Sequence, residues 1–214
     1  MQKNLETPFL NQSPAVRESA LGRLRSHLKK GHVYRREDLL SDSNAVDRHL
    51  KQLVDAGDLE KLSQGLYYAP KFTAFGRVPP KDTDLVGAFL RDDDFLIFSP
   101  NSYNSLGLGT TQLYNQTFVY NHKRHGEFKL GNRSFEFRMK PRFPKKIDKE
   151  FLFVDLLNNL DSLAENKSDV LTNAEQQLGK FEVSKLQKTV SAYGAGRTKK
   201  RVLYWIGQFE GVSV

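Results

Sequence analysis

Apolar residues recur at three- and four-residue steps in the first quarter of the chain, and this spacing predicts helices. Val16, Ala20, Leu21, Leu24 and Leu28 line one face of a helix that Pro14 can open and Gly31 can close. Val33 and Tyr34 fit a short extended piece. Arg35 to Leu40 has room for only a short helix, with Leu39 and Leu40 facing in. Ser41-Asp42-Ser43 is turn chemistry, and either serine can cap the next helix. That second helix is predicted from about Asn44 to Ala56, with Val46, Leu50, Leu53 and Val54 as its buried stripe and Gly57 as its stop. Leu59 to Leu62, then Ser63-Gln64-Gly65, then Leu66-Tyr67-Tyr68 reads as strand, tight turn, strand.

Helix, turn, helix and hairpin in this order predict a winged helix-turn-helix over residues 14–70, a module that sets one helix in the DNA major groove. The start of the second helix then meets base edges, which Asn, Gln and Arg can hold bidentately. The candidate contacts on it are Ser43, Asn44, Asp47, Arg48, Lys51 and Gln52. Arg35, Arg36, Lys61 and Gln64 are placed to reach phosphates, which orient a protein without reading sequence. The bland alternative is that charged outer faces are simply solvated and that the module binds protein, since fold alone does not fix function.

Farther on, the pattern changes. Residues 1–13 read as a loose arm, and 71–81, rich in Pro and Gly, as a linker. Asp82-Thr83-Asp84 can cap a short helix carrying Leu85 to Leu90. Phe95 to Phe98 reads as a buried strand and Gln116 to Tyr120 as another. A helix is expected between them, from Asn101 or Ser102 to Gly107. Glu127 to Leu130, Gly131-Asn132 and Arg133 to Arg138 form a period-two hairpin with Phe128, Leu130, Phe135 and Phe137 on one side. Helices are predicted over Phe151–Leu163, around Asn173–Leu178, from Val183 to Tyr193 and from Lys199 to Phe209. The fold class is therefore α+β: the N-terminal unit, then a mixed domain over 82–214 with a small sheet and a helical tail.

Charge adds a second theme. The net charge is +8, and residues 122–149 alone hold 10 Lys and Arg against 3 acids, a net of +7. A basic balance suits nucleic acid or an acidic partner. The chain has no cysteine, which excludes disulfides, thiolate metal sites and cysteine nucleophiles. With no apolar run for a signal peptide or membrane span, the sequence predicts a soluble cytoplasmic protein.

Gly65-Leu66-Tyr67-Tyr68-Ala69-Pro70 closing the predicted wing, then Ser102-Tyr103-Asn104-Ser105-Leu106-Gly107-Leu108-Gly109-Thr110-Thr111, then the basic hairpin, resembles the AbiEi type of antitoxin from type IV toxin–antitoxin systems. The resemblance covers about residues 15–140; the helical tail is less similar. It implies a bacterial protein that binds repeats in its own promoter, represses its operon and counteracts a nucleotidyltransferase-type toxin, without requiring a stable toxin complex. From charge alone, Lys123, Arg124, Lys129, Arg133, Arg138, Lys140 and Arg142 are the candidate surface for that second activity.

Rival chemistry is thinner. Asp94 with Glu127-Phe128-Lys129 mimics the acid…Glu-x-Lys order of Mg²⁺-dependent nucleases, but any solvated strand face alternates charge this way. His122 and His125 lack the third and fourth ligands of a zinc site. Gly107-Leu108-Gly109 lacks the Gly-Lys-Ser/Thr of a phosphate loop, and Ser99, Ser102 and Ser105 lack a nucleophile elbow. The sequence calls for no cofactor, metal or enzymatic activity. Its remaining alternative is a winged-helix regulator whose second domain binds a ligand or protein.

Overall fold

A computed structural model describes residues 19–212. Ser19 opens the first helix, α1 (Ala20–His27), by accepting the Gly22 N–H at 3.0 Å. Pro14, Val16 and the expected arm lie outside the described residues. Strand β1 (Val33–Arg35) leads into a 3-10 turn over Arg36–Asp42, then α2 (Val46–Asp55). The turn corrects one expectation. At three residues per turn, neighbours sit a third of a turn apart, so Leu39 is fully buried while Leu40 is 47% exposed. In α2 the period is regular, and Val46, Leu50 and Leu53 go inward as expected. Together with Leu24, Tyr34, Leu39 and Leu59 they form the core of this unit.

Strands β2 (Glu60–Ser63) and β3 (Leu66–Tyr68) join β1 in a three-stranded antiparallel sheet of order β1-β3-β2. Gly65, at the β2–β3 turn, has a φ of +67°, a conformation that glycine adopts without a Cβ penalty.

Residues 71–81, expected to be a linker, instead hold a second hairpin, β4 (Lys71–Thr73) with β5 (Gly76–Val78). It is tied down at its base. The Tyr68 hydroxyl donates to the Val78 carbonyl at 2.6 Å, and Arg77 pairs with Glu60. In the preceding segment, Tyr68 and Ala69 are buried.

Helix α3 (Asp82–Leu90) comes next. A four-stranded sheet then forms from β6 (Leu96–Phe98), β7 (Thr117–Asn121), β8 (Gly126–Leu130) and β9 (Arg133–Met139), in the order β6-β7-β9-β8. β7 and β9 are parallel; the other pairs are antiparallel. Both faces of this sheet are covered. Because side chains alternate along a strand, Val119, Leu130, Phe135 and Phe137 face α3 and the β2–β3 hairpin, where Leu62, Leu66 and Tyr68 join the same core. Leu96, Phe98, Phe118 and Tyr120 face the helices α4 (Lys149–Asn159), α5 (Lys167–Gln176), α6 (Val183–Tyr193) and α7 (Gly196–Val212). α4 is nearly all buried, at the centre of that layer. α5 starts six residues before the expected Asn173, because Asn166 caps it by accepting the Ser168 and Asp169 N–H groups. The described fold is a mixed α/β protein in which one sheet is shared between an N-terminal layer and a helical layer. No described helix is long and apolar enough to cross a membrane.

Candidate nucleic-acid interface

The start of α2 is built by Ser43. Its hydroxyl accepts the Ala45 N–H at 3.0 Å and shares a 2.7 Å hydrogen bond with Nδ1 of buried His49. Ser43 is therefore buried with its hydroxyl already engaged, although it lines the hollow at the helix start. Asn44, Asp47, Arg48, Lys51 and Gln52 are exposed, on the side of α2 away from its buried stripe. The side chains of Asn44, Arg48, Lys51 and Gln52 have no hydrogen-bond or ion-pair partner among the described residues. The Arg36 N–H donates to the Gly65 carbonyl at 2.9 Å, which draws the β2–β3 turn toward this helix start. Lys61 and Gln64 on that hairpin are also exposed and unpartnered.

An open hollow of about 360 Å³ lies at the helix start, lined by Arg36, Leu40, Asn44, Asp47 and Arg48 among others. Leu40, Ala45 and Val46 line it without having been among the candidates, and Leu40 is the exposed large apolar one. The expectation that it faced inward assumed an α-helical period where the chain takes a 3-10 one.

Two of the expected phosphate contacts have other partners. Arg36 donates from Nε and Nη2 to the two oxygens of Asp47, at 2.6 and 2.7 Å. This bidentate pair holds the Asp47 carboxyl below its usual range and the Arg36 guanidinium above its own. Arg35 donates from Nη1 to the Ala88 carbonyl on α3 at 2.7 Å and from Nε to Glu37 at 3.2 Å. It ties β1 to α3 and is not free to meet a phosphate.

The basic candidates of 122–149 are not assembled into one patch. Lys123 is held by Asp92 at 2.9 Å and by the Arg91 carbonyl. Arg133 pairs with Asp82. Arg138 is half-buried, pairs with Glu136, donates to Asn159 and stacks 3.7 Å from the Phe118 ring centroid. These three serve folding. Arg124 lies over Phe89 and is exposed, Lys129 sits exposed on edge strand β8, and Lys140 lies over Tyr120. Arg142 is exposed with no partner among the described residues.

Asp94 is occupied by Lys145 at 2.6 Å and His122 at 3.5 Å, and no group of three metal-capable side chains exists among the described residues. A buried ionisable centre lies at Asp155 on α4. It accepts the Tyr103 hydroxyl at 2.6 Å and the Tyr120 hydroxyl at 2.8 Å, and Asn159 donates to Tyr120 at 3.0 Å. Burial raises the Asp155 carboxyl above its ordinary range and the tyrosine hydroxyls above theirs. With both oxygens taken and no solvent access, this centre clamps the helical layer to the sheet.

The arrangement defines a mixed α/β protein in which the side chains of Asn44, Arg48, Lys51, Gln52, Lys61 and Gln64 have no partner among the described residues. Residues 21–189 match the DUF6088 family, a family of unknown function, and the chain belongs to it. No curated protein and no solved structure matches the chain.

Proposed function

We propose that the N-terminal unit is a winged helix-turn-helix that binds duplex DNA, with α2 as its recognition helix and the β2–β3 hairpin as its wing. The observation that carries this reading is the row of unpartnered Asn44, Arg48, Lys51 and Gln52 beside a hairpin turn bonded to Arg36. Asn, Gln and Arg suit base edges, and Lys suits phosphate. Exposed Leu40 adds an apolar surface suited to a thymine methyl group. The resemblance to AbiEi-type antitoxins supports a fuller role: the protein represses its own operon and counteracts a nucleotidyltransferase-type toxin encoded beside it.

Gel-shift titration of the full chain on its own upstream DNA tests the first part. Arg48→Ala combined with Lys51→Ala should abolish the shift while the thermal melt stays unchanged. Unchanged affinity would remove α2 from the interface. Co-expression with the neighbouring gene tests the second part, and failure to rescue growth would end the antitoxin reading.

A further inference from the structure

The helical layer carries a second basic feature that sequence counting does not reveal. Three hollows of about 510, 250 and 430 Å³ open along α6. Ala192 lines all three, Arg142 lines the first and third, and Lys188 lines the first and second. The three therefore adjoin one another beside α6 and are described together as one trough. Ser184, Gln187, Lys188 and Ser191 lie at helical steps on one face, so this side of α6 holds uncharged polar groups and a lysine without an acid.

Charge complementarity selects the occupant. Arg142, Lys188 and Lys199 reach the trough from three separate parts of the chain, and none of their side chains has a partner among the described residues. Lys140 adds a fourth cation, 5.0 Å from the Tyr120 ring and close enough to Asp155 to act on its carboxyl. Two carboxylates lie near it: Asp148, a lining residue that shares Lys185 with Glu150, at 3.0 and 2.6 Å, and Glu182, which accepts the Ser184 hydroxyl at 2.8 Å; Arg142, Lys188, Lys199 and Lys140 outnumber them. The floor is small, with Ser191 and Ala192. Gly194 keeps it so, since a Cβ there would lie 2.6 Å from the Val190 carbonyl oxygen. Half-buried Tyr193 supplies an aromatic ring to two of the hollows. Cations along a concave track with an aromatic ring and base-sized recesses fit a single nucleic-acid strand, whose unstacked bases enter hollows. A duplex keeps its bases stacked inside and cannot fill them.

We propose that this trough binds single-stranded nucleic acid, as a site separate from the α2 face and not dependent on the duplex-DNA reading of that face. The test is fluorescence anisotropy of the full chain with labelled single strands of DNA and of RNA, about 12 nucleotides long. Unlabelled duplex and polyglutamate serve as competitors. Arg142→Glu with Lys188→Glu should weaken strand binding about tenfold or more, and should leave upstream-duplex binding unchanged. Arg48→Ala with Lys51→Ala should do the opposite. Both trough residues are exposed and unpaired, so the melting temperature should hold. RNA stronger than DNA, or the reverse, would identify the source of the strand; either supports the site. Absence of strand binding, insensitivity to the charge reversal, or displacement by duplex or polyglutamate as effective as by strand would overturn it.

Discussion

Asp47 stands where DNA is proposed to bind, and its carboxylate is a negative charge in the first turn of the recognition helix. It also ties up Arg36 through two charge-assisted hydrogen bonds. Replacing it by Asn keeps the shape, removes the negative charge and releases the guanidinium. The fold should tolerate this well. The pair is exposed, and solvent-screened pairs of this kind contribute little to stability. The lost carboxylate at the helix N-terminus is a further small cost. The effect on DNA should be the larger one. Each phosphate contact steepens the slope of log K against log salt by about 0.9. One added contact from Arg36 therefore costs about 3.5-fold more affinity than wild type loses when salt rises from about 50 to about 200 mM. Asp47→Asn should thus bind more tightly at low salt and show the steeper slope. Anisotropy titrations on the upstream duplex at several salt concentrations measure both quantities. Arg36→Ala in the wild-type background is the control: it leaves the Asp47 charge unpaired before the DNA, so it should weaken binding and should not steepen the slope. A slope for Asp47→Asn equal to that of wild type would show that neither residue faces DNA.

Three further outcomes separate roles in folding from roles in binding. Arg35→Ala should cost about 1–3 kcal/mol in urea unfolding by stranding the Ala88 carbonyl, while upstream-duplex affinity stays the same; a loss of affinity without a loss of stability would return Arg35 to the interface. Leu62→Ala should lower stability by about 2–5 kcal/mol in one transition seen by all probes, because Leu62 shares a core with Phe135 and Phe137; two separated transitions would mean that the layers fold apart. Burial raises the Asp155 carboxyl, so its stabilising contribution is full below the ordinary carboxylate range and is lost as pH rises through the raised value. Asp155→Asn cannot titrate, so the stability of wild type relative to the variant should fall from pH about 4 upward; a difference that grows with pH would contradict the direction of the shift.

Regular periods with burial on one side were legible in the sequence, and irregular ones were not. The stripe of Val46, Leu50 and Leu53 and the alternation of Leu130, Phe135 and Phe137 repeat often enough to fix both the element and its buried face. The 3-10 turn offers only Leu39 and Leu40, and two adjacent leucines do not distinguish its period from that of an α-helix. The β4–β5 hairpin was hidden for a different reason. Phe72 and Phe75 are both exposed, so the segment has no buried face to produce alternation, and its flanking prolines mimic a linker. At the candidate interface the unpartnered polar residues of α2 were legible, whereas the fates of Ser43, Arg35 and Arg36 were not. Each is decided by a contact with another element or a neighbouring turn. The same holds for the basic segment, where a local charge count cannot see that Lys123, Arg133 and Arg138 meet acids and rings brought in from α3, α4 and the strands.

The shared core bears on how the two proposed surfaces can work together. The β2–β3 hairpin, proposed as the wing, sends Leu62, Leu66 and Tyr68 into the core that the sheet closes with Val119, Phe135 and Phe137. The opposite face of that sheet packs on α4, and α4 packs on α6, whose outer side forms the trough. Recognition helix and trough are thus joined through packed layers, with no linker at 71–81 to let them swing. Two sites held this way act as one bivalent binder only for a nucleic acid whose own geometry spans them. A duplex that opens into a single strand near the operator meets that condition, and two separate molecules do not. Avidity between the surfaces should therefore exist for a duplex with a single-stranded extension on the correct side and be absent for the same two pieces unlinked.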